Sequence, residues 1–255
     1  MRHRSTRGLT YWLLGAATLV ALIFLLLLVD LMPESFLAAR IVAYALVLVP
    51  VSLLLHGFFL AAGGYETSWL LAVGAVSAAL GLSSAFLASP EDLEKGSGVF
   101  VLLALSVADL SRILAAACVG IALARYITSV GVVLIIVFAA IASDLFSVFA
   151  GPTRVLVQEE SPLLDALLLV FPTFGSALGF GLGVSDFIFI ALFAAASRFL
   201  DLRYGATLLG LCFAAFLAVT AGLLLQRPLP ALPFIAFAFV IVNADLIVAS
   251  LVKRR

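Results

Sequence analysis

The chain has 255 residues, no net charge, 65% hydrophobic side chains, 11% charged ones and a mean hydropathy of +1.31. These values exclude a soluble domain of this size, whose surface would need far more charge. With no polybasic region, they also exclude nucleic acid as a partner.

Repeated apolar runs of about 20 residues match the hydrocarbon thickness of a bilayer for helices. They are too long and continuous for barrel strands. The predicted fold class is therefore all-α, a polytopic membrane protein with about eight spans. Arg2, Arg4 and Arg7 precede the first run, Tyr11 to Leu31. That run exceeds the roughly 7–15 apolar residues of a signal peptide, so it is expected to stay as an anchor. Further spans are predicted at 37–62, 67–88, 98–124, 129–150, 174–199, 204–226 and 229–251. The intervening breaks carry turn-forming and polar residues, such as Gly63-Gly64-Tyr65-Glu66 and Ser89-Pro90-Glu91-Asp92. Residues 162–180 read as a short re-entrant or interfacial piece, or as a further span. Residues 1–125 form an N-terminal set of spans and 126–255 a second set. No soluble domain is expected on either side of the membrane, and no internal repeat is visible.

Lysine and arginine in short loops set the orientation. Arg2, Arg4, Arg7, Arg125, Arg198, Arg203, Lys253, Arg254 and Arg255 collect on one side. Arg40, Lys95, Arg154 and Arg227 fall on the other, together with Glu91, Asp92, Glu94, Glu159 and Glu160. Both termini are thus expected to be cytoplasmic. Cys118 and Cys212 lie within apolar spans and read as packing residues, with neither a disulfide framework nor a metal motif.

Asp144 and Asp186 stand inside these apolar stretches, where a charge costs at least a few kcal/mol and marks a functional-site hypothesis. Asp144 precedes the predicted span end at Ala150 by about 9 Å of helix. Asp186 follows Gly183 at a similar distance from the same side of the membrane, and the last span begins there too. Two carboxyls in one desolvated site share a proton. One can act as base on a water while the other polarises a peptide carbonyl, with neither role assigned to a particular acid. That chemistry needs no cofactor or metal.

Gly175, Gly179 and Gly183 are spaced by four, as on one helix face that allows close approach. They read either as ordinary packing or as the means of bringing Asp186 near Asp144. Pro230 and Pro233 disfavour helix in the residues before them. Ala231 and Leu232 are therefore either partly unwound, offering backbone to an extended substrate, or simply the start of a helix.

Asp109 and Arg112, three apart, read as a neutralising pair or as a site for substrate or proton handling. His56 reads as an interfacial or packed residue. Asn243 and Asp245 read as helix-packing or interfacial groups, and Asp201 between Arg198 and Arg203 as a solvated loop charge set.

The motifs resemble those of the presenilin and signal peptide peptidase family of intramembrane aspartyl proteases. Ser143-Asp144-Leu145-Phe146-Ser147-Val148, followed by Pro152-Thr153-Arg154-Val155-Leu156-Val157, is similar to its first aspartate motif. Gly181-Leu182-Gly183-Val184-Ser185-Asp186 is similar to its Gly-x-Gly-Asp span, and Pro230-Ala231-Leu232-Pro233 matches its Pro-Ala-Leu motif. The order along the chain is the family's, and the similarity covers about residues 129 to 251. Ser143 stands where the family usually has Tyr, and Ser185 where it has Gly.

The resemblance implies a presenilin-like helix bundle with Asp144 and Asp186 as the catalytic pair. Gly183, Ser185, Pro230, Ala231, Leu232 and Pro233 would shape substrate binding. Transmembrane segments or signal peptides, in the lipid bilayer, would be the substrates. The basic C-terminal tail matches the signal peptide peptidase orientation. A proton-coupled small-solute transporter using Asp109, Asp144 and Asp186, or an inactive binder of membrane segments, is the alternative.

Overall fold

The computed structural model describes residues 37–62, 65–87, 98–151, 168–170, 181–225, 227 and 229–252. Outside them lie the anchor expected at 11–31, the acidic loop Glu91–Glu94, the Pro152–Val157 motif, Glu159 and Glu160, Gly175, Gly179 and the tail Lys253–Arg255.

The described elements are helices α1 (Leu37–Ala62), α2 (Thr67–Leu87), α3 (Gly98–Ala124) and α4 (Val130–Phe149), strands β1 (Leu168–Val170) and β2 (Gly181–Gly183), then α5 (Val184–Phe199), α6 (Tyr204–Leu225), α7 (Leu232–Val242) and α8 (Ala244–Val252). The segments Thr67–Ser84, Val107–Ala124, Val130–Phe149 and Tyr204–Leu225 are long and apolar enough to cross a membrane; α7 with α8, bent by 66°, would make a fifth span. Several such helices point to a membrane protein.

Three expectations change. Within the stretch predicted as one helix from 174 to 199, Gly181–Gly183 pairs as a strand with Leu168–Val170, and the described helix runs from Val184 to Phe199. Glycine has poor helix propensity, and the pairing satisfies its backbone. The same pairing makes Leu168–Val170, inside the ambiguous 162–180 stretch, a strand. The last predicted span, 229–251, is broken at Asn243.

The chain divides into two compact units: residues 1–116 with 168–184, and residues 117–167 with 185–255. In the first, α2 turns Leu70, Gly74, Ser77 and Gly81 inward at helical spacing and leaves Trp69, Leu71, Val76 and Leu80 exposed. A Cβ on Gly81 would stand 3.2 Å from the Ala108 carbonyl, so small residues set the approach of α2 to α3. Tyr65 and Trp69 stack at 4.2 Å at the start of α2, the kind of amphipathic aromatic pair found at membrane interfaces.

In the second unit α5 is the interior element. Asp186, Phe187 and every residue from Ile190 to Ser197 are buried. A helix apolar all round must be enclosed by others. The C-terminal part of α3 crosses it closely: a Cβ on Gly120 would lie 2.4 Å from the Ile188 carbonyl oxygen and 2.6 Å from Ala191 Cβ. Helix α7 packs against α6 and α4, and Phe193 of α5 stacks on Phe239 of α7 at 5.1 Å.

Chain reversal after α5 uses Asp201 in the left-handed region (φ 54°), with the Leu202 N–H donating to the Ser197 carbonyl at 2.7 Å. This is a Schellman-type stop, and aspartate is among the few residues other than glycine that tolerate its conformation.

Gly120→Ala is expected to overpack the α3–α5 crossing and lower stability by about 1–3 kcal/mol. Gly205→Ala, where the added Cβ meets nothing within 4 Å, is expected to be neutral or up to about 1 kcal/mol stabilising. Thermal unfolding of the two variants in detergent checks the contrast.

Candidate active site

Helix α4 starts at Ser129, whose extended backbone and hydroxyl, accepting from the Val132 N–H at 3.4 Å, cap its first turn. Val130, Val133, Val137 and Ala140 form its buried stripe, while Ile135, Phe138 and Phe146 stay exposed. Asp144 is half-buried near the other end, about 8 Å of helix before Phe149.

The group that meets Asp144 comes from the Pro-Ala-Leu-Pro segment. Leu229 and Pro230 are irregular, Ala231 bends, and α7 begins at Leu232 with Pro233 in its first turn. The helix-start alternative thus describes Leu232, and the unwound chain is confined to the residues before it. A proline early in a helix is well tolerated because the N–H it lacks would be unpaired there. The Leu232 N–H faces the same problem, since Ala231 has no side chain able to cap it. Asp144 supplies the missing acceptor: its Oδ2 receives the Leu232 N–H at 2.9 Å, across 88 residues of sequence. The first acid and the Pro-Ala-Leu motif are therefore in direct contact, with Pro230, Ala231 and Leu232 buried around it and Pro233 partly so.

Asp186 lies in the first turn of α5 and is buried, while Ser185 beside it is exposed. An acid there is favoured by the free N–H groups of the helix start. Gly183 is the last residue of β2. It is not on a helix face, so the four-residue glycine spacing does not extend to it. The close helix approach on α5 is made by Gly120 instead. Gly120 escaped the sequence reading, although the small residues Ala115, Ala116, Ala117 and Cys118 before it were a usable signal.

The remaining polar groups agree with expectation in part: Asp109 and Arg112 pair as read, whereas Arg203 does not belong to a loop charge set. Arg112 and Asp109 are both buried and paired at 3.3 Å, and the same guanidinium nitrogen donates to the Leu168 carbonyl of β1 at 2.7 Å. The pair therefore also holds a backbone strand, a partner that sequence spacing does not reveal. Arg203, read as part of a loop set with Asp201, instead forks onto Asp245 with two bonds of 2.6 Å. That bond and the carboxylate's charge hold the Arg203 guanidinium above its ordinary range. Asn243 is wholly buried. Cys118 and Cys212 are buried thiols that are not joined in a disulfide. Among the described residues, no three His, Cys, Asp or Glu side chains gather as metal ligands.

Asp144→Leu is expected to strand the Leu232 N–H and cost about 1–3 kcal/mol, whereas Asp144→Asn, which keeps an acceptor, costs less; thermal unfolding of both variants checks this. Arg112→Met withdraws the Arg112 donor from Asp109 and from the Leu168 carbonyl, and is expected to destabilise by about 3–5 kcal/mol, more than Asp109→Met with Arg112→Met together. Chemical denaturation of the single and double variants measures that difference. Compared with known proteins, the chain matches no family model, no curated protein and no solved structure.

Proposed function

We propose that the chain is an intramembrane aspartyl endopeptidase that hydrolyses peptide bonds within transmembrane segments or signal peptides. One observation carries the reading: the hydrogen bond from the Leu232 N–H to Asp144 Oδ2. The presenilin-like motifs imply that the first acid and the Pro-Ala-Leu segment work at one site, and here they touch. The second acid is buried in the same compact unit, on a helix that stacks against α7 through Phe193 and Phe239.

In the proposed reaction Asp144 and Asp186 share one proton. The ionised carboxyl takes a proton from water as the oxygen attacks the scissile carbonyl, and the protonated carboxyl donates to that carbonyl's oxygen. Collapse of the tetrahedral intermediate then returns a proton to the leaving nitrogen. The bond from Leu232 orients one carboxyl, and a charge-assisted hydrogen bond of this kind is stronger than a neutral one. A substrate helix must unwind locally, since its own hydrogen bonds shield each peptide.

The proposal includes eight spans arranged as a presenilin-like bundle, in the plasma membrane of a prokaryote, with both termini cytoplasmic. That orientation follows from the loop charges and favours substrates whose N-terminus is cytoplasmic.

Purified protein in detergent, given a fluorogenic transmembrane peptide, is expected to cut it. Asp144→Asn and Asp186→Asn are each expected to lower the rate by about 10²–10⁴-fold or more. An uncut peptide, or cleavage that survives both substitutions, defeats the protease reading. Proton-coupled solute uptake into proteoliposomes that depends on the same acids would establish the transporter instead.

A further inference from the structure

We infer that Asn243, with Arg203 and Thr207, is the fixed end of the arm that holds Leu232 against Asp144, making these three positioning residues for the reaction proposed above. The role in the reaction rests on the proteolytic reading, whereas the placement of the arm does not.

The arm is α7. Its two ends are held very differently. At the N-terminal end Pro230 and Pro233 bracket the chain, and the bond to Asp144 ties the first helical residue. At the C-terminal end the backbone ladder breaks at Asn243, where α8 departs at 66°. In an unbroken helix the Phe239 and Val242 carbonyls would accept from the N–H groups four residues on. Here the Asn243 amide donates to the Phe239 carbonyl at 2.9 Å, and Arg203 donates to the Val242 carbonyl at 3.0 Å. Side chains thus replace the lost ladder.

The same amide donates to Thr207 Oγ1 at 2.8 Å, and its oxygen accepts the Arg203 N–H at 3.0 Å. Asn243 and Thr207 are both fully buried. Arg203 also forks onto Asp245 in the first turn of α8, and a Cβ on Gly210 would stand 3.0 Å from the Val242 side chain. The start of α6, the turn after α5 and both sides of the bend therefore meet at one amide.

Why this matters at Asp144 is a question of leverage. The 11 residues of α7 rise about 16 Å. A rotation of about 10° at the bend would carry the Leu232 end some 3 Å, enough to break a bond of ordinary hydrogen-bond length. Between the ends α7 is wholly apolar, and such contacts are non-directional. Buried hydrogen bonds are directional, and a fully satisfied cluster specifies one arrangement.

The test uses the full-length chain in a Cys118→Ala, Cys212→Ala background carrying Asp144→Cys and Leu232→Cys. Asp144→Cys removes the carboxylate acceptor of the direct tie, so the rate of disulfide formation under a mild oxidant reports how well the far end alone places residue 232. Ready cross-linking is expected, slowed about tenfold by Asn243→Leu and less by Thr207→Val. Val248→Ala, exposed on α8 and outside the cluster, should leave it unchanged. In the chain with both aspartates intact, Thr207→Val and Asn243→Leu are expected to lower kcat about tenfold with KM within twofold, and to spread the cleavage position along the peptide. Should Asn243→Leu not fold, Thr207→Val decides the matter. Cross-linking as fast in the folded variants as in the parent, or absent from the parent, overturns the placement. Unchanged kcat and cleavage position in a variant that cross-links slowly overturn the role in the reaction. A parent chain that cross-links as expected, beside a chain with both aspartates that cuts nothing, sinks the protease reading and leaves the arm standing.

Discussion

A helix that begins among apolar side chains leaves peptide N–H groups with no partner of their own, and each must find an acceptor. A carboxylate in the same surroundings needs donors, or its charge is not sustainable there. The Leu232 N–H and Asp144 answer each other's requirement at 2.9 Å. The prolines on either side sharpen the constraint. Pro233 has no N–H to contribute, and Ala231 cannot cap the helix. Moving α4 or α7 independently would leave one group without its counterpart, so this contact ties the position of one acid's helix to that of the proline segment.

Further tight constraints lie on the helix of the second acid. α5, which carries Asp186, is enclosed on nearly all sides, with Gly120 pressed against its backbone and Phe193 stacked on Phe239 of α7. α7 thus contacts the helices of both acids. Its shortness is compatible with the proposed membrane placement. If α4 spans a core of about 30 Å, a segment starting level with Asp144 has about 22 Å left to cross. α7 plus the projection of α8, bent by 66°, covers about 22 Å. A straight span of ordinary length would begin outside the hydrocarbon and could not present its first N–H to Asp144 at that depth.

Much of the architecture was legible in the chain. Bounds of 37–62 and 98–124 coincide with α1 and α3, and those of α2, α4 and α6 differ by one residue at most. These come from long apolar runs between turn residues, a local signal. The strand at Gly181–Gly183 was not legible, because its reason for existing is a partner at Leu168–Val170. The bend at Asn243 was hidden for a similar cause: a single asparagine in an apolar run reads as a packing residue until its partners from the turn after α5 are in place. Asp201 and Arg203 looked like one charge set from their closeness in sequence. The left-handed turn assigns Asp201 a backbone role and gives Arg203 to Asp245.

The sequence by itself determined that the chain is built of apolar helices, which buried acids deserve suspicion, and that a proline segment starts the last of them. These are consequences of composition, periodicity and the fixed backbone chemistry of proline and glycine, all readable within a few residues. Only the tertiary structure decided which polar group answers which: Asp144 with Leu232, Arg112 with Leu168, Asn243 with Thr207 and Arg203. In apolar surroundings every donor needs an acceptor, but any of several would serve, and the choice among them is made by how the helices pack.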